Sequence, residues 1–275
     1  MVDLVLILYI YYNSIYIMDS CLDILPIKPP KEVYKLKRPV NPILPDVATG
    51  SMMILISPVK TGKSTLISNL LLSPHFYKDI FDIVYIISNT INNDITSRFL
   101  KEQFEDTVFD TYSDSTIQNI INYQKTFAKK DQPKVCIILD DVLGSVPKNG
   151  MINHLASRYR HYNIGLLLFS SQMFRGLPAV VRANATHVIV GSPNNNAKEM
   201  EKLAEELGGA FGGEKNWLKL YKKCAQKRYD FMFHNLDVTP ATVHRNFTDL
   251  VYTAKSNGED PEDSGDSDSS SDYSE

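Results

Sequence analysis

The run Ser57-Pro58-Val59-Lys60-Thr61-Gly62-Lys63-Ser64 has the residue types and spacing to hold a chain of phosphates. Such a loop works by pointing backbone N–H groups inward at the start of a helix, where the peptide dipoles favour an anion. Gly62 lets the backbone approach closely, Lys63 supplies a point charge to the β- and γ-phosphates, and the Ser64 hydroxyl can ligate magnesium. The pattern is the phosphate-binding G-x-x-x-x-G-K-[ST] with one departure, Ser57 in place of the first glycine. Serine is small enough to turn the chain there, provided its backbone angles are not glycine-only. Ser57, Pro58, Val59, Lys60, Thr61, Gly62, Lys63, Ser64 and the following Thr65 are therefore the candidate ATP contacts.

Two acids and an amide complete the candidate chemistry. Val135–Asp140 is an apolar run ending in Asp140-Asp141. A buried strand that ends in acid delivers carboxylates to its C-terminal edge, where open α/β sheets bind ligands. Asp140 is the candidate magnesium ligand, through water, and Asp141 the group that orients or deprotonates an attacking water. A further apolar run, Ile164–Ser170, leads into Ser171-Gln172. Gln172 at that edge can hydrogen-bond the γ-phosphate or its water. Arg158 and Arg160 precede this strand and Arg175 and Arg182 follow it. An arginine inserted from a neighbouring subunit would stabilise transition-state charge.

The elements that must position these groups follow from hydrophobic period. Ser51–Ile56, Ile83–Ser88, Val135–Asp140, Ile164–Ser170 and His187–Gly191 read as short, almost wholly apolar strands. Helical patterns lie over 63–72, 114–129, 151–160 and 195–207. This alternation predicts an α/β fold with a mainly parallel sheet covered by helices on both faces. Six prolines between Pro26 and Pro45 make residues 1–46 an N-terminal extension with an extended lead-in. The ATPase domain spans 47–250. Residues 251–275 form an acidic tail expected to be disordered.

Composition limits the partners. The 275 residues carry a net charge of −3, yet eight acids and no base fall between Ser256 and Glu275, so the remainder stands at +5. A mildly basic body admits a polyanion partner. Cys21, Cys136 and Cys224 have no metal-ligand spacing, which argues against zinc and a disulfide framework. Val2–Ile17 is apolar but short of the ~20 residues of a spanning helix. An upstream start codon, a packed element and a membrane contact by the N-terminus all remain open readings. Lys219, Lys222, Lys223, Lys227 and Arg228, interleaved with Trp217, Tyr221 and Tyr229, suit either a nucleic acid or the polar face of an amphipathic helix.

The string RYRHYNIGLLLFSSQMFRGLPAVVRANATHVIV, taken with IILDD and the GKS loop, resembles the genome-packaging ATPases of nucleocytoplasmic large DNA viruses. The poxvirus packaging ATPase is their best-known type, within the FtsK/HerA superfamily of P-loop NTPases. The likeness covers about Met52–Val190. It implies the additional-strand P-loop fold, with the Gln172 strand between the strands that carry the Walker A loop (Ser57–Ser64) and the Walker B acids (Asp140, Asp141). It implies ATP and Mg2+, hydrolysis coupled to moving double-stranded DNA into a capsid, and a homo-oligomeric ring working with capsid or portal-region proteins. It implies residence in the virion and in the virus factory of the host cytoplasm. Arg160 best matches the family's finger, with Arg158 second. Asp141, where many relatives have Glu, makes a less certain base. A small-molecule kinase and a non-catalytic ATP-binding scaffold are the competing readings.

Overall fold

The structure, a computed structural model, describes residues 35–92, 97–142, 144, 146, 147 and 150–254. The readings made for Val2–Ile17 and for the tail after Asn257 lie outside the described residues. From Leu36 onward the chain belongs to one compact unit.

In chain order the strands and helices are β1 (Ser51–Ile56), α1 (Lys63–Leu72), β2 (Ile83–Ser88), α2 (Arg98–Gln103), β3 (Val108–Phe109), α3 (Asp114–Lys125), β4 (Val135–Asp140), α4 (Met151–Arg158), β5 (Ile164–Ser171), α5 (Ala179–Ala183), β6 (His187–Gly191), α6 (Ala197–Leu207), α7 (Glu214–Cys224), β7 (Phe231–Asn235), β8 (Thr242–Arg245) and β9 (Asp249–Thr253). They build a nine-stranded sheet in the order β3-β2-β4-β5-β1-β6-β7-β8-β9. All pairings from β3 to β6 are parallel, and those from β6 to β9 are antiparallel. The Gln172 strand, β5, lies between β4 and β1, which is the additional-strand arrangement.

The apolar strands are buried on both faces, and this explains why they show no alternation in sequence. Met52, Ile54 and Ile56 of β1 join one core with α3, α4, α6 and α7. Met53 and Leu55 join a second core with Ile67, Leu70 and Leu71 of α1. The described part of the proline-rich lead-in, from residue 35, is irregular rather than extended, with a turn closed by Leu44 N–H on the Asn41 carbonyl at 3.0 Å, and it is packed. Leu44 and Val47 are buried in the second core, with Leu36, Val40 and Ile43 against it. The Tyr77 hydroxyl donates to the carbonyl of Pro45 at 2.9 Å.

Several boundaries differ from the sequence reading. The helix expected over 114–129 stops at Lys125, and the one expected over 151–160 stops at Arg158. There a 3-10 turn, Tyr159–Tyr162, takes over and ends at Asn163, whose φ of 53° is left-handed. Asparagine tolerates that conformation better than most residues. At the C-terminal end β9 runs past 250, and the antiparallel β7–β9 addition was not resolved by pattern. Among the described residues, no helix is long and apolar enough to cross a membrane.

Candidate active site

The loop between β1 and α1 forms a cradle at the carboxyl edge of the parallel strands. Gly62 caps α1 in the left-handed region at φ 93°, no side chain caps the helix, and no acid occupies its first turn. Elsewhere Ser113 accepts from Thr116 N–H and Asn196 from Glu199 N–H. The orphan N–H groups of α1 are thus left for an anion. Lys60 is also left-handed, at φ 63°.

Ser57 does not have a positive φ, so its backbone meets the condition the sequence left open. The room its side chain needs comes from the neighbouring strand. A Cβ built on Gly191, at the end of β6, would lie 2.0 Å from Ser57 Oγ and 2.8 Å from Ser57 Cβ. The glycine missing from the loop is offset by a glycine beside it. The Ser57 hydroxyl then pairs with that of Thr61, which donates to the Pro58 carbonyl at 2.5 Å. Ser57 N–H donates to Ser171 O at 3.0 Å, tying the loop to β5.

Parallel register brings the acids to the same edge. Lys63 Nζ contacts Asp141 Oδ2 at 2.9 Å, with both side chains largely buried. Asp141 leaves β4 with φ 49°, a left-handed kink that re-aims its carboxylate. Asp140 is buried, and its Oδ2 accepts from Ser88 Oγ at 3.0 Å. Its Oδ1 makes no well-formed hydrogen bond, and neither does the hydroxyl of Ser170, the residue paired with it on β5. Burial pushes its carboxyl up from the usual range, and the charge of Asp141 adds to this; the hydroxyls of Ser170 and Ser88 and the charge of Lys63 oppose it without reversing it. An orphaned acceptor beside a phosphate cradle fits a hydrated cation. Among the described residues, no three His, Cys, Asp or Glu side chains gather to hold a metal.

A cavity of about 650 Å³ gathers Pro58, Val59, Lys60, Gly62, Lys63, Ser64 and Thr65 with Asp141 and Gln172. Thr90, Arg228 and Tyr229 also line it. The sequence reading gave these three no place in the nucleotide site. Arg228 donates from Nη2 to the Lys60 carbonyl at 3.2 Å, and its guanidinium lies 5.0 Å from the Tyr229 ring centre. Both residues were grouped with the basic-aromatic run, and only three-dimensional proximity separates them from it. The rest of that run divides by face. Trp217 and Tyr221 are buried, whereas Lys219, Lys222 and Lys223 are exposed. Trp217 Nε1 donates to His234 Nε2 at 2.8 Å. These two aromatics are core, as in the amphipathic-helix reading.

Arg158 and Arg160 lie at the other edge of the sheet. Arg160 Nε donates to the Gly50 carbonyl and to the Tyr159 hydroxyl, each at 3.0 Å. Gly50 precedes β1 and the cradle follows it, so the six residues of β1 hold Arg160 roughly 20 Å from its own subunit's phosphate site at ~3.3 Å per residue. Arg175 pairs with buried Glu199 at 3.2 Å, and Arg182 with Glu206 at 2.8 Å.

A phosphate cradle at the edge of a parallel sheet, two acids on the neighbouring-but-one strand and a polar residue on the strand between them define a P-loop NTPase of the additional-strand kind, an ATPase. More particularly, the chain belongs to the poxvirus A32 protein family, whose profile matches residues 48–229. No curated protein matches the chain at a significant level. Among solved structures, the genome packaging NTPase B204 from Sulfolobus turreted icosahedral virus 2 in complex with AMP is 20% identical, covering 71% of this chain and 97% of its own, with a TM-score of 0.50. The same NTPase in complex with sulfate gives 0.51 at 17% identity, covering 71% and 96%. The DNA-packaging ATPase B204 from Sulfolobus turreted icosahedral virus gives 0.50 at 20% identity, covering 70% and 96%. At such identities the likeness is one of fold.

Proposed function

We infer that this protein is the ATPase of a viral DNA-packaging motor, which hydrolyses ATP to translocate double-stranded DNA into a capsid. The observation that carries this reading is the Lys63–Asp141 contact at 2.9 Å beneath an uncapped helix N-terminus, in a member of the poxvirus A32 family. The small-molecule kinase and the passive scaffold are not favoured by that membership.

The chemistry follows from the side chains. Lys63 neutralises Asp141 at 2.9 Å. Arriving phosphates compete for the ammonium, and the carboxylate is released to orient or deprotonate a water. Gln172 is exposed on the rim of the same cavity, within range of that water or of the γ-phosphate. Ser64 and Asp140 would hold Mg2+, which supplies charge neutralisation between the β- and γ-phosphates.

Arg160 does not reach its own site, so any part it takes in hydrolysis would have to be at a neighbour's. Arg160, with Arg158 second, is accordingly the candidate trans finger, and this assignment requires a homo-oligomeric ring. The exposed lysines of α7 are available to a DNA backbone, without sequence readout. Capsid or portal-region proteins are the expected docking partners, and the virus factory and virion the expected locations. In this reading the motor domain extends beyond the expected 47–250, taking in the packed residues from Leu36 and the end of β9 at Thr253.

The test is ATP turnover with and without double-stranded DNA. Stimulation by DNA of any sequence is expected. A rate indifferent to DNA, together with phosphoryl transfer to a small acceptor, would overturn the motor reading in favour of a kinase.

A further inference from the structure

A second cavity, of about 490 Å³, adjoins the phosphate cradle. The two share Gly62, Lys63, Thr65 and Tyr229, so a molecule seated on the loop can extend from one into the other. The cradle is the more polar of the two, and the second cavity is mostly apolar. Leu66 of α1 forms one wall, and Phe231 and Phe247 form another. The two phenyl rings meet edge to face, with centroids 5.0 Å apart. Asn69, on the exposed side of α1, stands at its rim. A mostly apolar, aromatic-lined slot with a few polar groups at its edge suits a flat heteroaromatic ring.

Tyr229 is the partition between the two cavities. It is a large aromatic left 58% exposed, on a backbone at φ 74°. A bulky residue in the left-handed region carries strain and persists only where its surroundings enforce it. They do so here. Tyr229 N–H donates to Ser192 O at 3.3 Å. The next residue, Asp230, accepts from Lys227 N–H and from Arg245 Nη2, each at 2.9 Å. The result sets the ring against the loop: a Cβ on Gly62 would lie 3.2 Å from Tyr229 Cδ1. Arg228, tethered to Lys60 O, covers the ring from the phosphate side of the site.

We propose that the apolar cavity receives the nucleobase of the nucleotide whose phosphates occupy the cradle, with Tyr229 as the residue that stacks on it. The proposal rests on reading the cradle as a nucleotide site. The hydrolytic groups, Asp141 and Gln172, line only the phosphate cavity, whereas Tyr229 lines both, so the proposal assigns Tyr229 to binding and the test below separates base from phosphate.

The two readings separate by comparing ATP with inorganic tripolyphosphate, which has the phosphates without the base. Both are titrated calorimetrically into the full chain. Tyr229→Ala is expected to weaken ATP by about 5- to 150-fold, the range for losing one base–aromatic stack, and to leave tripolyphosphate unchanged. KM for ATP rises and kcat holds. Tyr229→Phe restores ATP affinity, because stacking needs the ring and not the hydroxyl. Asn69→Trp plugs the rim from an exposed helix position and should weaken ATP selectively without any change at Tyr229. If Tyr229→Ala does not fold, Asn69→Trp decides. Equal effects on ATP and tripolyphosphate, or no effect on either in folded variants, would overturn the proposal. If the unaltered chain bound neither ligand, the cradle reading itself would fail, and the base site with it.

Discussion

The exchange of glycine and serine between the loop and β6 makes a sharp prediction. Gly191→Ala adds one methyl where Ser57 already sits, at 2.0 Å from its Oγ and 2.8 Å from its Cβ. The hydroxyl could rotate away, but a Cβ can move only with the backbone, and that backbone is the start of the phosphate loop. Overpacking of this kind costs about 1–3 kcal/mol, which lowers Tm by roughly 2–4 °C for each kcal/mol in a domain of this size. The loop shift also disturbs the Ser57–Thr61 pair, so KM for ATP should rise. Ser57→Gly alone removes that pair and adds chain freedom, at a cost of about 0.5–1 kcal/mol. The double variant Ser57→Gly, Gly191→Ala removes both clashing atoms. The next neighbour of the new methyl is then the Ile56 carbonyl at 3.6 Å, an ordinary contact. The double variant should therefore be more stable than Gly191→Ala alone, with a coupling of about 0.5–3 kcal/mol. Thermal unfolding and KM for ATP, measured on all four proteins, close the cycle. Additive effects, or a Gly191→Ala protein identical to the unaltered one, would refute the reasoning.

Three further outcomes are expected. Asp141→Asn should retain ATP binding and lose turnover, while Lys63→Ala should lose both; normal turnover in the first, measured by phosphate release, would show that another group positions the water. Arg160→Ala should bind ATP normally and hydrolyse it slowly, and mixing it with Lys63→Ala should restore some rate through interfaces with both groups intact. A monomer, established by sedimentation, that turns over fully with Arg158 and Arg160 both changed to alanine would end the trans-finger assignment. Acid should destabilise the fold through His187 and His234, which burial pushes down to about 4. Both are neutral in the folded chain but take up protons near pH 6.5 once unfolded, so their contribution is full above about 6.5 and is lost as pH falls toward 4, at up to about 1.4 kcal/mol per unit for each. Equal urea midpoints at pH 7 and pH 5 would contradict this.

The parallel half of the sheet was legible because its strands are buried on both faces. Continuous apolar runs such as IVYIIS and VCIILD are hard to use for anything else, and the acids at their ends mark one edge. The antiparallel half was not legible. Phe231–Asn235 is buried only at its centre and Asp249–Thr253 is exposed or half-buried throughout, so neither has a period strong enough to read. Tyr229 and Arg228 were hidden for the same reason. They follow a lysine-rich helix in sequence, and only the return of the chain beside β6 sets them against the phosphate loop.

The sequence by itself determined which residues are the candidates to hold phosphate and activate water. Loop length, Gly62, Lys63, Ser64 and two acids after an apolar strand are local requirements, and local requirements are written in consecutive residues. Only the tertiary structure decided what depends on distance between elements. It set Gly191 beside Ser57 so that a defective-looking loop has room, paired Lys63 with Asp141, carried Arg160 to the far edge from its own cradle, and set an exposed tyrosine against the phosphate loop between two adjoining cavities. Strand order and register fix those separations, and neither is encoded in any single stretch of the chain.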